Sequence, residues 1–186
     1  MLRIGAPVEL VACWLAWSLA FVGAFRRAAG QKVVVRAPRS RWGIVFQAVG
    51  FALVFAYVRT VGYEKPAWAL VISTILGPPS VWLGWAAVRH LGKQWRYQAA
   101  LSEDHELIQT GPYGWIRHPI YASMLGLFLE AGFAWTWWPM MVTGLVFFLI
   151  GVEIRVRAEE RLLAARFGEA FRAYRTHVPA YVPFVR

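Results

Sequence analysis

The chain has 186 residues, of which 59% are apolar and 16% charged, and it carries a formal net charge of +10 and a mean hydropathy of +0.45. A soluble domain is roughly 45–50% apolar with Gly counted and about 25% charged, so disorder and a coiled coil are excluded and a water-soluble globule does not fit. The apolar residues fall in blocks, the pattern of an integral membrane protein, and the single cysteine, Cys13, excludes an intrachain disulfide or a Cys-based zinc site.

A membrane-crossing helix needs about 20 apolar residues. Ile4–Phe25 carries one charge, Glu9, whereas Trp42–Val58 and Pro66–Val88 carry none, so three spans are expected in the first half. Gly77-Pro78-Pro79 sits inside the third. Proline removes a backbone donor, so this span is expected to be bent or broken. Ile120–Val152 holds only Glu130, and as one helix it would be about 50 Å long, too long for one crossing. Trp135-Thr136-Trp137-Trp138-Pro139 divides it. Tryptophan favours the interface and proline a helix start, so two short spans joined by a turn are expected. Glu130, five residues before Trp135, is expected to reach that interface, the rival being a functional carboxylate inside the span. The fold class is therefore all-α and integral to the membrane, with about five transmembrane helices. Residues 1–89 form a three-span region. Residues 90–186 form a region with a polar loop, a helical hairpin and a C-terminal helix.

Basic residues set the orientation. Arg26, Arg27, Lys32, Arg36, Arg39 and Arg41 share one side with Arg89, Lys93, Arg96 and Arg117. Arg155, Arg157, Arg161, Arg166, Arg172, Arg175 and Arg186 join them, leaving only Arg3, Arg59 and Lys65 opposite. The positive-inside rule puts the large set in the cytoplasm, with the N-terminus outside. The first span is read as retained, since no small-residue cleavage site follows it. After Val156 the spacing of Leu163, Phe167, Ala170, Phe171 and Tyr174 predicts an amphipathic cytoplasmic helix, with Gly168 inside the pattern. The Val178-Pro179-Ala180-Tyr181-Val182-Pro183 stretch ends it as extended chain.

All four histidines fall on the cytoplasmic side, as do six of the ten acids. Two clusters stand out there. Gly111-Pro112-Tyr113-Gly114-Trp115-Ile116-Arg117-His118-Pro119-Ile120-Tyr121 is a stiff turn leading into a span. Its Arg117 and His118 stand at a helix mouth whose free N–H groups favour an anion; a snorkelling arginine beside an interfacial histidine is the alternative. In the second cluster, Arg155-Val156-Arg157-Ala158-Glu159-Glu160-Arg161, paired carboxylates could take an ammonium or sugar hydroxyls, or be surface ion pairs. The hairpin brings the two clusters together.

Leu91-Gly92-Lys93-Gln94-Trp95, Thr110-Gly111-Pro112-Tyr113 and Arg117-His118-Pro119-x-Tyr121 resemble the isoprenylcysteine carboxyl methyltransferase family and its relatives among phospholipid methyltransferases. Glu159-Glu160, Phe167-Gly168, Tyr174 and Val178-Pro179 complete the pattern over about residues 90–183. The resemblance implies a membrane methyltransferase of the small prokaryotic type, in the inner membrane, using S-adenosylmethionine and a lipophilic acceptor that enters from the bilayer. By motif, Tyr113, Arg117, His118, Pro119, Tyr121, Glu159 and Glu160 would line the cofactor pocket, with Gln94 near it. Ser123 stands where the family often has glycine, which alters a pocket wall. An isoprenylcysteine-type carboxylate is the first choice of acceptor. Methyl transfer to a carboxylate needs positioning more than a base, so Arg157 or Arg161 would hold the acceptor, with Glu160 beside them as the third catalytic candidate. The alternative is a phospholipid amine, which would need a base. A non-catalytic membrane protein or transporter would place polar residues across the bilayer, and here they cluster on one side. No metal and no nucleic-acid partner is expected.

Overall fold

The computed structural model describes residues 2–28, 32–56 and 64–181, with the side chains of 2–7, 27 and 28 left aside. Arg59, Val182, Pro183 and Arg186, named above, lie outside this set. The described chain is mostly helical: α1 (Leu2–Ala28), α2 (Ser40–Phe55), α3 (Ala67–Leu91), α4 (Pro119–Ala134), α5 (Trp138–Phe167) and α6 (Glu169–His177). Three helices are long and apolar enough to cross a membrane, α1, α3 and α5. The 16-residue apolar helices α2 and α4 reach only about 24 Å, short of a hydrocarbon core of about 30 Å.

The helices are dressed inside out. Val11, Leu15, Leu19 and Val22 form an exposed stripe on α1, as do Val71, Ile75 and Trp82 on α3 and Val142, Val146 and Leu149 on α5. Apolar stripes at helical spacing with no protein against them suit a lipid solvent. Small residues face inward instead. A Cβ on Gly50 of α2 would lie 2.7 Å from the Gly144 carbonyl of α5, and one on Gly144 would lie 2.9 Å from that of Gly50. The Gly43–Gly151 pair makes a similar contact one to two turns along. Only glycine permits this backbone-to-backbone approach, which replaces the hydrophobic drive that lipid removes.

The hairpin turn falls where expected: α4 ends at Ala134, and α5 begins at Trp138 with Pro139 in its first turn. Thr136 Oγ1 donates to the Val54 carbonyl at 2.5 Å, tying the turn to the end of α2. At the same end, Lys65 Nζ donates to the Gly132 carbonyl at 2.8 Å and sits over the Trp138 ring.

Three expectations are corrected. First, α3 is not broken at Pro78-Pro79 but runs from Ala67 to Leu91. The neighbouring α4 supports this stretch closely, with Ser73 Oγ donating to the Glu130 carbonyl at 2.9 Å and Gly126 lying against Ser80. Second, Glu130 does not reach the interface. It is 1% exposed, wedged between Gly77 of α3 and Cys13 of α1. Third, the C-terminal helix is not continuous. Gly168, at φ +52°, ends α5 and starts α6 at a new angle. Phe171 and Tyr174 then pack with Leu163, Phe167 and Leu107, whereas Ala170 is exposed.

Sequence periodicity gave no hint of a short antiparallel ribbon at the polar end. β1 (Val33–Arg36) pairs with β2 (Ala100–Ser102), Arg36 opposite Ala100, and Ala37 N–H donates to the Ala99 carbonyl at 2.9 Å. Arg166 of α5 donates to the Glu103 carbonyl. The described parts of the three basic segments thus meet at one end of the bundle.

Candidate active site

The site begins at the mouth of α4. Gly111–Gly114 forms one tight helical turn, opened by Gly111 at φ +58° against the His90 ring. Its register buries Tyr113, whose carbonyl accepts from Tyr174 Oη at 2.6 Å. Burial, and then the nearby Glu159 carboxylate, push the Tyr113 phenol above its ordinary range. Pro119 takes the first helical position. Ahead of it, the Arg117-His118 pair receives the C-terminal strap: Arg117 N–H donates to the Pro179 carbonyl at 2.8 Å and His118 N–H to that of Ala180 at 3.0 Å.

The glutamate doublet of α5 lies across from this mouth, so the two sequence clusters do converge. Arg117 and Glu160 form a buried pair, Nε to Oε1 at 3.0 Å, with side chains only 5% and 14% exposed. The same guanidinium donates to the carbonyls of Arg175 and Val178. His118 Nε2 lies 3.3 Å from Glu160 Oε1, and its Nδ1 lies 3.7 Å from Glu159 Oε2. Tyr121 Oη donates to Glu159. Arg117, expected to meet an anion, is already consumed in clamping the strap to α5.

Two hollows flank this lock. Each is about 410 Å³. The first is lined on its polar side by Gln94, Arg96, Tyr113, His118, Arg155 and Glu159. Its apolar side is Trp17, Phe21 and Phe25 of α1 with Ile120 and Met124 of α4. Trp95, 5% exposed, joins the two sides, its ring 4.6 Å from that of Phe25. The second hollow, on the far face of α5, is polar and lined by Arg157, Arg161, Arg175, Glu153, Glu160 and Tyr181. The doublet is therefore split. Glu159 faces the first cavity and Glu160 the second. Arg157 and Arg161, the expected holders of an acceptor, stand on the Glu160 side, one turn apart; Arg157 is paired with Glu153 at 2.6 Å. Neither lines the first cavity.

The arginines that do line it are Arg155, Arg96 and Arg117, the last already paired with Glu160. Arg155 is 8% exposed and reaches Gln47 Oε1 at 3.0 Å and the Tyr97 carbonyl at 2.6 Å. Its guanidinium carbon lies 5.1 Å from the Tyr121 ring centre, and its Nε–H has no partner. Arg96 donates through one nitrogen to the carbonyls of Lys93 and Trp95, while Nε and the other nitrogen are buried without a partner. Gln94 donates to the Asp104 carbonyl at 3.2 Å and leaves Oε1 buried and unpaired. Helical phase could have separated Arg155 from Arg157, since residues two apart on a helix face different ways. Arg96 lies in irregular chain and offered no such signal. His105 also lines the cavity with an unpaired buried Nδ1. Burial, and then Arg96 and Arg166, push its pKa down to about 4.

Buried polar atoms are normally satisfied, so this set of orphans marks a ligand site. The free donors suit an anion, Gln94 Oε1 and Glu159 suit an ammonium or ribose hydroxyls, and the aromatic rim suits a flat base or a sulfonium. The residues present therefore fit S-adenosylmethionine.

The family model of the isoprenylcysteine carboxyl methyltransferases matches residues 69–165, just over half of the chain. The chain is 25% identical over 120 residues to the uncharacterised protein YpbQ of Bacillus subtilis, covering 64% of this chain and 71% of that one. It is 29% identical over 92 residues to a protein-S-isoprenylcysteine O-methyltransferase of Schizosaccharomyces pombe, covering 45% and 36%. It is 34% identical over 125 residues to a methanethiol S-methyltransferase of Mycobacterium tuberculosis, covering 55% and 46%. The chain thus spans less than half the length of either named methyltransferase. The matched segment contains the α4 mouth, the loop that carries Gln94 and Arg96, and the α5 stretch with Arg155 and the glutamate doublet, and on this evidence the chain belongs to the isoprenylcysteine carboxyl methyltransferase family.

Proposed function

We propose that this protein is an S-adenosylmethionine-dependent methyltransferase that crosses the membrane five times, with its N-terminus outside and its site at the cytoplasmic face of a prokaryotic inner membrane. Its acceptor is a lipophilic molecule ending in an anionic group, an isoprenylcysteine-type carboxylate being the first choice. The observation that carries this reading is the first cavity, where unpartnered polar atoms of Gln94, Arg96 and Arg155 share one space with an aromatic, lipid-like wall.

In this reading Arg96 holds the carboxylate of the cofactor's amino-acid end, Gln94 Oε1 and Glu159 its ammonium and ribose, and Tyr113 and Trp95 its flat base. When bound, S-adenosylmethionine supplies an electrophilic methyl group on a sulfonium. Arg155 takes the role first assigned to Arg157 or Arg161. It lines the cavity's polar side, where it fixes the acceptor's anionic end while the tail lies toward Phe21 and Met124. A carboxylate needs no base, so orientation supplies the catalysis, a contribution worth up to about 7–11 kcal/mol. Phe25 and Tyr97, 51% and 50% exposed, border the open side, the entry for a molecule arriving along the bilayer.

A thiol acceptor is the second reading. It rests on the likeness to a methanethiol S-methyltransferase, and a thiolate is an anion that the same arginine could hold. Loss of the thiol proton would then fall to Glu159 or His118. A phospholipid amine fits less well, because a cationic acceptor gains nothing from Arg155.

Calorimetry of the purified protein with S-adenosylmethionine should show saturable binding, weakened in Glu159→Gln. Methylation should then be assayed with a prenylated cysteine analogue, a hydrophobic thiol and phosphatidylethanolamine. Arg155→Met should lower kcat/KM for an anionic acceptor by about 10²–10³-fold, the cost of removing one aimed donor, and leave cofactor affinity in place. Absence of cofactor binding overturns the proposal.

A further inference from the structure

The membrane end of the cavity is closed by one residue. Of α1, the wall includes Phe25, Phe21, Ser18 and Trp17, and of α4 Ile120, Tyr121 and Met124. Nothing deeper on either helix lines it, so Trp17 is its floor. The indole is held in place from three directions. Nε1–H donates to Ser123 Oγ at 3.1 Å, and Ser123, fully buried, donates in turn to the Ile120 carbonyl at 2.7 Å. Gly84 of α3 leaves the room the ring occupies, since a Cβ there would collide with Trp17 Nε1. The Phe21 ring covers it at 4.3 Å between centres, and Trp14 stands beyond at 6.2 Å. A tryptophan with its single donor satisfied and its ring packed is a rigid stop.

Space leads to the same conclusion. About 410 Å³ lies near the small end of the roughly 300–1,000 Å³ of small-molecule sites. That volume must take a nucleoside-sized cofactor together with the acceptor.

We propose that Trp17, pinned by Ser123, is a length gate that sets how much of an acceptor's apolar tail the cavity buries. This rests on the reading of the cavity as a methyl-acceptor site and narrows its substrate class. An acceptor anchored at Arg155 runs its tail toward Met124 and stops at the indole. Longer tails lose either the anchor or their burial. Trp17→Ala opens the space toward Trp14, and Trp17→Phe opens less of it. Ser123→Ala removes the hydrogen bond without adding volume, so it loosens the gate through the ring it holds.

The test uses the full chain in nanodiscs with straight-chain S-alkyl mercaptoacetates and alkanethiols, from ethyl to hexadecyl. Methylation is read as kcat/KM against chain length. In the wild type kcat/KM should rise with each methylene only up to a sharp length. A buried methylene contributes roughly a factor of four, so Trp17→Ala should raise the ratio of long-chain to short-chain kcat/KM by tenfold or more. Trp17→Phe and Ser123→Ala should shift it in the same direction by less. A wild-type preference unchanged in all three variants overturns the gate. A second readout is independent of catalysis: displacement of a bound fluorescent fatty acid by the same series. Shifted displacement without methylation keeps the gate and refutes the methyltransferase reading. Unshifted displacement refutes the gate whatever the activity.

Discussion

The buried Arg117–Glu160 pair decides what the doublet does. Removing one partner of a buried ion pair leaves an uncompensated charge, at a cost of about 3–5 kcal/mol. Glu160 also neighbours His118 and Arg175. Glu160→Ala should therefore lower the thermal midpoint by several degrees and release the Val178–Tyr181 strap to proteolysis, whereas Glu159→Gln should weaken cofactor binding at nearly wild-type stability. Equal stability of the two variants would contradict this division. His105 supplies a pH response. Its folded pKa is about 4, below the roughly 6.5 of an unfolded histidine, so the unfolded chain binds a proton that the native one refuses. The stability it contributes is present above about pH 6.5 and is lost as pH falls through about 4. Melting of the wild type across pH 7 to 4 should show this acid limb, and His105→Phe, which stays neutral, should flatten it. Here the motif reading went part of the way. It placed Tyr113, His118, Tyr121 and Glu159 together, yet it could not see that Arg117 is spent on the strap or that Arg96 and Arg155 keep unpartnered donors at the cavity. Partners of a side chain are set by folding, and composition does not encode them.

Among the elements, α2 and α5 depend on glycine contact at two levels. Gly50→Leu would drive a branched side chain into the Gly144 carbonyl and Phe148. Overpacking of this kind costs about 1–3 kcal/mol or more, and a separated α2 would carry Gln47 away from Arg155. The variant should melt lower in detergent and lose activity beyond its loss of folded protein, whereas Val49→Leu, on the exposed face of the same helix, should be neutral on both counts. The hairpin turn and the long apolar helices were legible in the sequence because each follows a local rule of length or interface preference. The continuity of α3 through two prolines and the break at Gly168 were not. The first goes with the close packing of α4 against this stretch, and the second with a glycine adopting a positive φ that a flexible residue is merely permitted to take.

For the whole molecule, the β1–β2 ribbon and the Arg166–Glu103 contact gather the three basic segments at one end. The Trp135–Trp138 turn and Lys65 mark the other. In a Cys13→Ser background, single cysteines at Gln98 and Trp137 should label from opposite sides with a membrane-impermeant maleimide in intact cells and inverted vesicles, Gln98 from the cytoplasm. Labelling of both from one side would overturn the topology. The sequence alone determined that this chain lives in a bilayer, which ends of its helices share a side, and which chemistry gathers there, because hydropathy, charge asymmetry and motif order are properties of the chain read in line. Only the tertiary structure decided that Glu159 and Glu160 face different hollows, that Glu130 is sealed between helices, and that Trp17 closes the cavity of Arg155, because each depends on the rotation of one helix against another, and that is fixed by packing between residues far apart in the chain.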